Sequence, residues 1–183
     1  MQDPSFPLPS AFVALPLEGA AKEEFLRLRA LLAPYAEFLS LQKADTPHLT
    51  VRFWKSLMEI EYDQLLAECE TVAAKSAPFR LRIAGVDTFG SRGEDRVLFL
   101  VPEFSPPLAE LKKRCPWPNE QPFQPHVTLA RVRHPNRFSV HRKKILRLVE
   151  GADFTMEVDR LRLFAKIGGA NQTPIRDFPF GQK

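Results

Sequence analysis

The amino-acid sequence predicts an α+β fold of two lobes related by a pseudo-twofold axis, each with an antiparallel sheet and outer helices. The phrase "TPHLTV" (46–51) returns 78 positions later as "QPHVTL" (124–129). Around each copy the chain repeats the order strand, helix, motif, helix, strand, and each opening strand stops at a proline, Pro16 or Pro102. We therefore expect a single domain over 1–183, made of two intertwined lobes whose motifs line a central cleft.

The elements of the first half follow from local patterns. The apolar run "AFVAL" (11–15) predicts a strand, and "AAKEEFLRLRALLA" (20–33) places its apolar residues on one helix face. After the first motif, "MEIEYDQLLAECETVAAKS" (58–76) predicts a second helix. The alternation in "FRLRIAG" (79–85) is typical of a half-buried strand.

The second half repeats this order with different residues. "RVLFLV" (96–101) predicts a buried strand, and "SPPLAELKKRC" (105–115) begins with a serine and two prolines, as helices often do. "SVHRKKILRLVE" (139–150) predicts a helix behind the second motif. "FTMEVDRLRLFA" (154–165) alternates as one strand, and "IRDFPF" (175–180) is a candidate closing strand.

The composition is that of an ordinary globular protein, with 44% apolar and 26% charged residues among 183. The apolar runs are far shorter than the roughly 18 residues that a membrane-spanning helix needs, so we expect no membrane association. The first residues, "MQDPSFPLPS", lack the basic and apolar regions of a secretory signal, so we expect a cytoplasmic protein. No pattern indicates an oligomer, and a monomer is the default expectation.

A basic segment follows the second motif. It carries seven Lys and Arg residues between Arg131 and Arg147 and no Asp or Glu, within a chain of formal net charge +4. Such a segment is either the solvated face of a helix or a positive surface beside the motif. The sequence leaves both interpretations open.

The repeated motif places an imidazole and a hydroxyl on one face of a strand. Because strand side chains alternate, His48 and Thr50 point one way while the aliphatic residues between them point the other. The same holds for His126 and Thr128. Two histidines can act as base and acid in one turnover, and two hydroxyls can donate to the oxygens of a phosphate between them. This pattern favours cleavage of a phosphodiester, above all a cyclic one whose leaving oxygen needs a proton.

Metal catalysis is the competing explanation for paired histidines. A hydrolytic zinc or magnesium site usually needs three protein ligands or several carboxylates. Neither motif contains a carboxylate. We therefore expect no metal and no other cofactor.

The motifs "HLTV" and "HVTL" resemble the HxTx signature of the two-histidine (2H) phosphoesterase superfamily. The stretches "FVALPL", "PHLTVRF", "FRLRIAGVDTFGSRGEDRVLFL", "PFQPHVTLARV" and "VDRLRLF" resemble its RNA 2′,3′-cyclic phosphodiesterase branch, often named 2′-5′ RNA ligase. The resemblance covers roughly residues 11–180. It implies a bilobal α+β fold and metal-free hydrolysis of a 2′,3′-cyclic phosphate at an RNA or nucleotide end to a 2′-phosphate.

The resemblance also assigns roles to individual residues. It implies that His48 and His126 are catalytic, that Thr50 and Thr128 bind phosphate, and that Arg131 is the arginine of the family phrase HxTLAR. Strict alternation points Ala130 rather than Arg131 into the cleft, so a bulge must re-aim Arg131. By the same alternation Arg52 is in phase with His48 and is a further candidate phosphate ligand.

Aromatic side chains are candidates for stacking on a base. Among Trp54, Trp117, Phe123 and Phe164, the best candidates are Phe123, just before the second motif, and Phe164. Phe164 stands in "LFAK" where members of the family often have "LYRS". The following hairpin, "KIGGANQTP" (166–174), is unusual for the family.

Two alternatives to the cyclic phosphodiesterase remain open. The same site fits a 2′-5′ RNA ligase or 2′-5′ phosphodiesterase, and a cleft without turnover would make an inactive protein that binds RNA ends. Within the leading hypothesis we assign His126 as base and His48 as acid, from the resemblance and because positive charge near His126 would keep it neutral.

Overall fold

The computed structural model describes residues 5–118 and 122–181. In these ranges the chain forms four α-helices, a short 3₁₀ helix at Ala33–Tyr35 and nine strands. The helices are α1 (Gly19–Leu31), α2 (Glu59–Ala74), α3 (Pro106–Arg114) and α4 (Pro135–Val149). The strands are β1 (Leu8–Pro16), β2 (Leu39–Leu41), β3 (His48–Leu57), β4 (Phe79–Ser91), β5 (Glu94–Pro102), β6 (Val127–Val132), β7 (Asp153–Val158), β8 (Arg160–Ile167) and β9 (Ala170–Pro179).

The strands form one antiparallel sheet in two halves. The order is β7-β4-β5-β6-β3-β1-β8-β9, with β2 added beside β6. The halves meet where β6 lies next to β3, and the paired register there consists of Leu49 opposite Val127. The predicted α+β fold with two lobes is therefore confirmed, and the lobes join at the residues that directly follow the two motif histidines.

The lobes exchange strands. Strand β4, which follows the first motif in sequence, pairs with β5 and β7 in the lobe of the second motif. The predicted strand over 154–165 is wrong as a single element, because the chain breaks at Asp159 into β7 and β8. Strand β7 pairs with β4 and β8 with β1, so one alternating stretch serves both lobes. Alternation fixes the pleat of a strand but carries no information about its partner.

The helices cover one face of the sheet. Helix α1 buries Phe25 and Leu28, and α4 buries Phe138, Ile145 and Val149 in the same core. The basic residues Lys143, Lys144 and Arg147 of α4 are exposed on its other side, which agrees with the solvated-face interpretation for this helical part of the basic segment. None of the helices within 5–118 and 122–181 has the length and apolar character needed to cross a membrane.

Candidate active site

The two motif histidines open into one cavity on the face of the sheet away from the helices. Its volume is about 420 Å³. His48 begins β3, and His126 lies one residue before β6. The lining residues are Ser10, Phe12, His48, Thr50, Phe53, His126, Arg131, Asn171 and Gln172. The aliphatic partners Leu49 and Val127 are completely buried on the opposite side, as the alternation predicts.

Each imidazole is oriented by a backbone carbonyl two residues earlier. His48 Nδ1–H donates to the Thr46 carbonyl over 2.7 Å, and His126 Nδ1–H donates to the Gln124 carbonyl over 2.8 Å. Because a carbonyl oxygen can only accept, the proton of each neutral ring is on Nδ1. Nε2 of each ring is then the nitrogen left to exchange protons with a ligand.

Two phenylalanine rings pack against each imidazole. Phe12 and Phe164 lie 4.7 and 5.4 Å from His48 between ring centroids. Phe89 and Phe99 lie 5.0 and 5.6 Å from His126, both edge to face. This arrangement repeats the pseudo-twofold relation in the packing around the motifs, and it holds each ring in a largely apolar surrounding. Of these four rings the sequence pointed only to Phe164, and to base stacking instead of support of His48, because apolar strand residues carry no signal of what they contact.

A β-bulge follows the threonine in each motif. In β3, Thr50 pairs with Ala14 and Arg52 with Val13, so Val51 is the extra residue. In β6, Thr128 pairs with Phe99 and Ala130 with Leu98, so Leu129 is the extra residue. An extra residue reverses which face the later side chains point to. The bulge that the position of Arg131 requires is present, and Arg131 lines the cavity.

The same geometry removes Arg52 from the cavity. Its cross-strand partner Val13 belongs to the helix-covered core, whereas Phe53 pairs with Phe12 of the cavity wall. The prediction that Arg52 lies in phase with His48 is therefore wrong, because the bulge at Val51 shifts the phase. The guanidinium lies 5.7 Å from the Trp54 ring centroid, and Nε is buried without a hydrogen-bond partner in the described part of the chain.

The bulges create an asymmetry between the two motifs. Each motif strand presents a third residue to the cavity, five positions after its histidine. In β3 this residue is Phe53, and in β6 it is Arg131. One lobe thus offers a cation and the other an aromatic ring that is 50% exposed. The motif pattern itself, which ends at Thr50 and its aliphatic neighbour, gives no indication of Phe53. Aligning the two copies beyond their threonines would have identified it.

The remaining predicted residues occupy different environments. Thr50 lines the cavity, whereas Thr128 reaches this face of β6 by strand alternation and is partly buried. Phe123 is partly buried and lies in a groove that adjoins the cavity. Phe164 is completely buried beneath His48, stacked on Phe12 at 4.9 Å. A ring without exposed surface offers no face to a base, so the predicted stacking role of Phe164 is wrong.

A polar wall formed by residues far apart in sequence completes the cavity. It consists of Ser10 from β1 and of Asn171 and Gln172 from the β8–β9 hairpin. Ser10 and Gln172 have positive φ angles of 52° and 58°, which are uncommon for residues other than glycine and cluster at functional sites. The hairpin is recognisable in the sequence as unusual for the family, but nothing in the sequence assigns these three residues to the site.

The surroundings of the histidines lower both of their pKa values. Burial lowers the pKa of His48 to about 4, with further lowering from His126 and Arg131, against the opposing effect of the Thr46 carbonyl. Burial also lowers the pKa of the less enclosed His126, again with a contribution from Arg131. Both imidazoles are therefore neutral near pH 7 in the unliganded protein.

Paired HxTx strands facing one cavity, with histidines fixed by carbonyls, define the class of two-histidine phosphoesterase folds. The family model described as the 2'-5' RNA ligase superfamily matches residues 16–170. The chain belongs to this superfamily.

Curated relatives share part of the chain. A Geobacillus stearothermophilus protein named RNA 2',3'-cyclic phosphodiesterase is 30% identical over 128 residues, which is 66% of this chain and 41% of that protein. A Bacillus subtilis (strain 168) protein of the same name is 28% identical over 136 residues, 68% of this chain and 67% of that one. The match thus spans about two fifths of the length of the first relative and two thirds of the second.

Solved structures share the fold over nearly the whole chain. TT0787 of Thermus thermophilus superimposes with a TM-score of 0.72 at 22% identity, covering 94% of this chain and 98% of that one. Apo LigT of E. coli superimposes with a TM-score of 0.68 at 21% identity, covering 96% and 99%.

Proposed function

We propose that this cavity hydrolyses the 2′,3′-cyclic phosphate at an RNA or nucleotide end to a 2′-phosphate, with the two histidines as general base and general acid and without a metal ion. The observation that carries the proposal is the pairing of two imidazoles, both with Nδ1 committed to a carbonyl, in one cavity. The names of the curated relatives support the reaction class.

Two histidines and one water molecule account for every proton and bond in the hydrolysis. The base Nε2 takes a proton from water as its oxygen attacks phosphorus. The bond between phosphorus and the 3′ oxygen breaks, and the acid Nε2–H gives that oxygen its proton. In-line attack requires the two groups on opposite sides of the phosphate, which matches one histidine on each lobe.

The proposal includes three further side chains that bind the phosphate. We assign Arg131 and Thr50, which line the cavity, and Thr128 as donors to its non-bridging oxygens. A fixed cation and oriented donors stabilise the charge that gathers on these oxygens in the transition state. The asymmetry between Arg131 and Phe53 then leaves the ring of Phe53 to face the nucleoside.

The structure favours the reverse of the sequence-based assignment of base and acid. That assignment rested on the resemblance and on positive charge near His126, but Arg131 lowers the pKa of both histidines. The greater burial of His48 makes it the harder ring to protonate. We therefore assign His48 as the base and His126 as the acid.

The test is incubation of the purified protein with 2′,3′-cyclic AMP in EDTA, with chromatographic separation of 2′-AMP from 3′-AMP. We expect 2′-AMP to form. Replacing His48 or His126 by Ala should each lower the rate by about 10²–10⁴-fold. Turnover that depends on added metal, or 3′-AMP as product, would contradict the proposal.

The same preparation decides between the alternatives. Joining of RNA ends through a 2′-5′ bond, without net hydrolysis, would favour the ligase reaction of the superfamily name. Tight binding of RNA ends without turnover would favour the inactive binding protein. The cytoplasmic location and the monomeric state stay predictions, which cell fractionation and sedimentation test.

A further inference from the structure

A second groove continues from the catalytic cavity. It has a volume of about 750 Å³ and lies between residues 50–56 of β3 and the segment that precedes β6. Thr50, Phe53 and His126 line both the cavity and the groove, so a bound molecule can extend from one into the other. Lys55 and Phe123 also line the groove.

The groove exists because β3 pairs along only one of its edges. Strand β1 pairs with β3 from His48 to Leu57, whereas β6 pairs with it at Leu49. Because β3 and β6 are antiparallel, the part of β3 after Leu49 lies opposite the segment 122–126 that precedes β6, and this segment forms no strand. Within 5–118 and 122–181, no strand pairs with this second edge after Leu49, and the two lobes separate along it.

The side chains along the groove suit a single-stranded nucleic acid. Phe53 is half exposed and Phe123 partly buried, and each presents an aromatic ring. The exposed side chain of Lys55 supplies positive charge, and the described lining contains no carboxylate. Lys112 of α3 packs against this ring, with Nζ 5.3 Å from the centroid of Phe123. Sequence-tolerant binding of single strands combines these two elements, aromatic faces for bases and cations for the backbone.

The chemistry of the proposed substrate fixes which nucleotide reaches the groove. The cyclic phosphate closes the 2′ and 3′ oxygens of the terminal ribose, so the RNA can continue only from its 5′ oxygen. A cavity of about 420 Å³ is near the lower end of the roughly 300–1,000 Å³ typical of small-molecule sites, enough for a single nucleotide. The preceding nucleotide must therefore lie outside it.

We propose that the groove binds the nucleotide on the 5′ side of the terminal one, with its base on Phe123 and its phosphate beside Lys55. This proposal rests on the proposed function, because it takes the cyclic phosphate to lie between the histidines. The protein then prefers RNA ends of two or more nucleotides to mononucleotides.

The experiment compares kcat/KM for a 2′,3′-cyclic mononucleotide and for a dinucleotide that ends in the same cyclic phosphate. We expect the dinucleotide to be favoured by about tenfold to a hundredfold, the range given by stacking of about 1–3 kcal/mol per base. Phe123→Ala and Lys55→Ala should each reduce this ratio. Lys55→Ala should also weaken the dependence of dinucleotide KM on salt, since it removes one phosphate contact. The matched control is Lys143→Ala on the exposed side of α4, which should leave the ratio unchanged.

The outcomes separate the groove from the catalytic proposal. Equal kcat/KM for both substrates in an active enzyme, or a ratio that neither variant changes, overturns the groove and leaves the proposed function intact. Where neither substrate is hydrolysed, fluorescence anisotropy with a labelled dinucleotide that ends in a 2′-phosphate tests the groove directly. Binding that Phe123→Ala weakens supports the groove although the proposed function fails, and binding that neither variant weakens overturns both.

Discussion

The side-chain oxygen of Gln172 lies 3.0 Å from the hydroxyl of Thr46, the residue whose carbonyl accepts the Nδ1 proton of His48. The same oxygen accepts a hydrogen bond from Gln42 Nε2 over 2.9 Å. The β8–β9 hairpin therefore braces the loop that orients a proposed catalytic histidine, across 126 positions of sequence from Thr46.

Gln172→Gly tests this bracing. Glycine adopts the φ of 58° without strain, so the substitution removes the side-chain hydrogen bonds and leaves the turn intact. We expect kcat for a cyclic mononucleotide to fall about 2- to 10-fold, as for the net loss of one or two hydrogen bonds, with KM little changed.

A matched control lies in the same hairpin. Thr173→Ala removes a hydroxyl that bonds to the Ala170 carbonyl and does not reach the His48 loop. It should leave kcat unchanged. An unchanged kcat in Gln172→Gly would show that the Thr46 carbonyl is held without the hairpin, and an equal loss in Thr173→Ala would indicate general loosening.

Arg131→Gln tests the bulge in β6. Loss of one donor to a developing charge typically costs about 10²–10³ in kcat, and we expect a loss of that order here. The control is Arg147→Gln, an exposed cation of α4, which changes the net charge equally without altering the cavity. A small effect of Arg131→Gln combined with a large effect of Arg52→Gln would show that the faces assigned to the two arginines are reversed.

Phe164→Ala distinguishes a supporting ring from a base-stacking ring. Because Phe164 is completely buried, its truncation should lower the free energy of unfolding by roughly 3–5 kcal/mol, measured by urea denaturation. Phe53→Ala is the comparison, since that ring is 50% exposed and should cost much less stability. Equal destabilisation by the two would contradict their different burial.

The sequence predicts the motif strands because it repeats them and because alternation separates His48 and Thr50 from Leu49. It also shows that Arg131 needs a bulge, since that residue is out of phase with His126. It does not predict the matching bulge at Val51, which depends on how β3 meets β1 and which moves Arg52 out of the cavity and Phe53 into it.

Long-range pairing accounts for the other differences. The stretch 154–165 has one alternating pattern but two partners, β4 and β1, and the sequence carries no signal of partner choice. Likewise Ser10 and Gln172 reach the cavity only after strands distant in sequence are placed side by side. Both residues have positive φ angles, but neither is a glycine or an asparagine, the residue types that indicate a positive φ in a sequence.

The pH dependence of kcat/KM follows from the two lowered pKa values. This quantity reports ionisations of the free enzyme, in which one histidine must be neutral and the other protonated. Activity should rise as pH increases through the pKa of His48, about 4, and fall as pH increases through that of His126, which lies below 6.5. We expect a bell-shaped profile with its maximum below pH 6.5. In Arg131→Gln the alkaline limb should move to higher pH, because the removed positive charge lowers the pKa of His126 in the wild-type protein. A maximum at pH 8 would contradict the scheme.

The division of labour between the histidines can be measured with a modified leaving group. In a cyclic phosphate whose 3′ oxygen is replaced by sulfur, the departing thiolate needs no proton, so the general acid becomes dispensable.

With the oxygen substrate both histidine-to-alanine variants should lose about 10²–10⁴-fold in rate. With the sulfur substrate His126→Ala should recover most of that loss, because His126 is the proposed acid. His48→Ala should not recover, because water still needs a base, and the deeper burial of His48 is what keeps this ring neutral. Recovery of His48→Ala instead would restore the sequence-based order. It would also show that the bound phosphate, rather than burial in the free protein, determines which imidazole carries the proton.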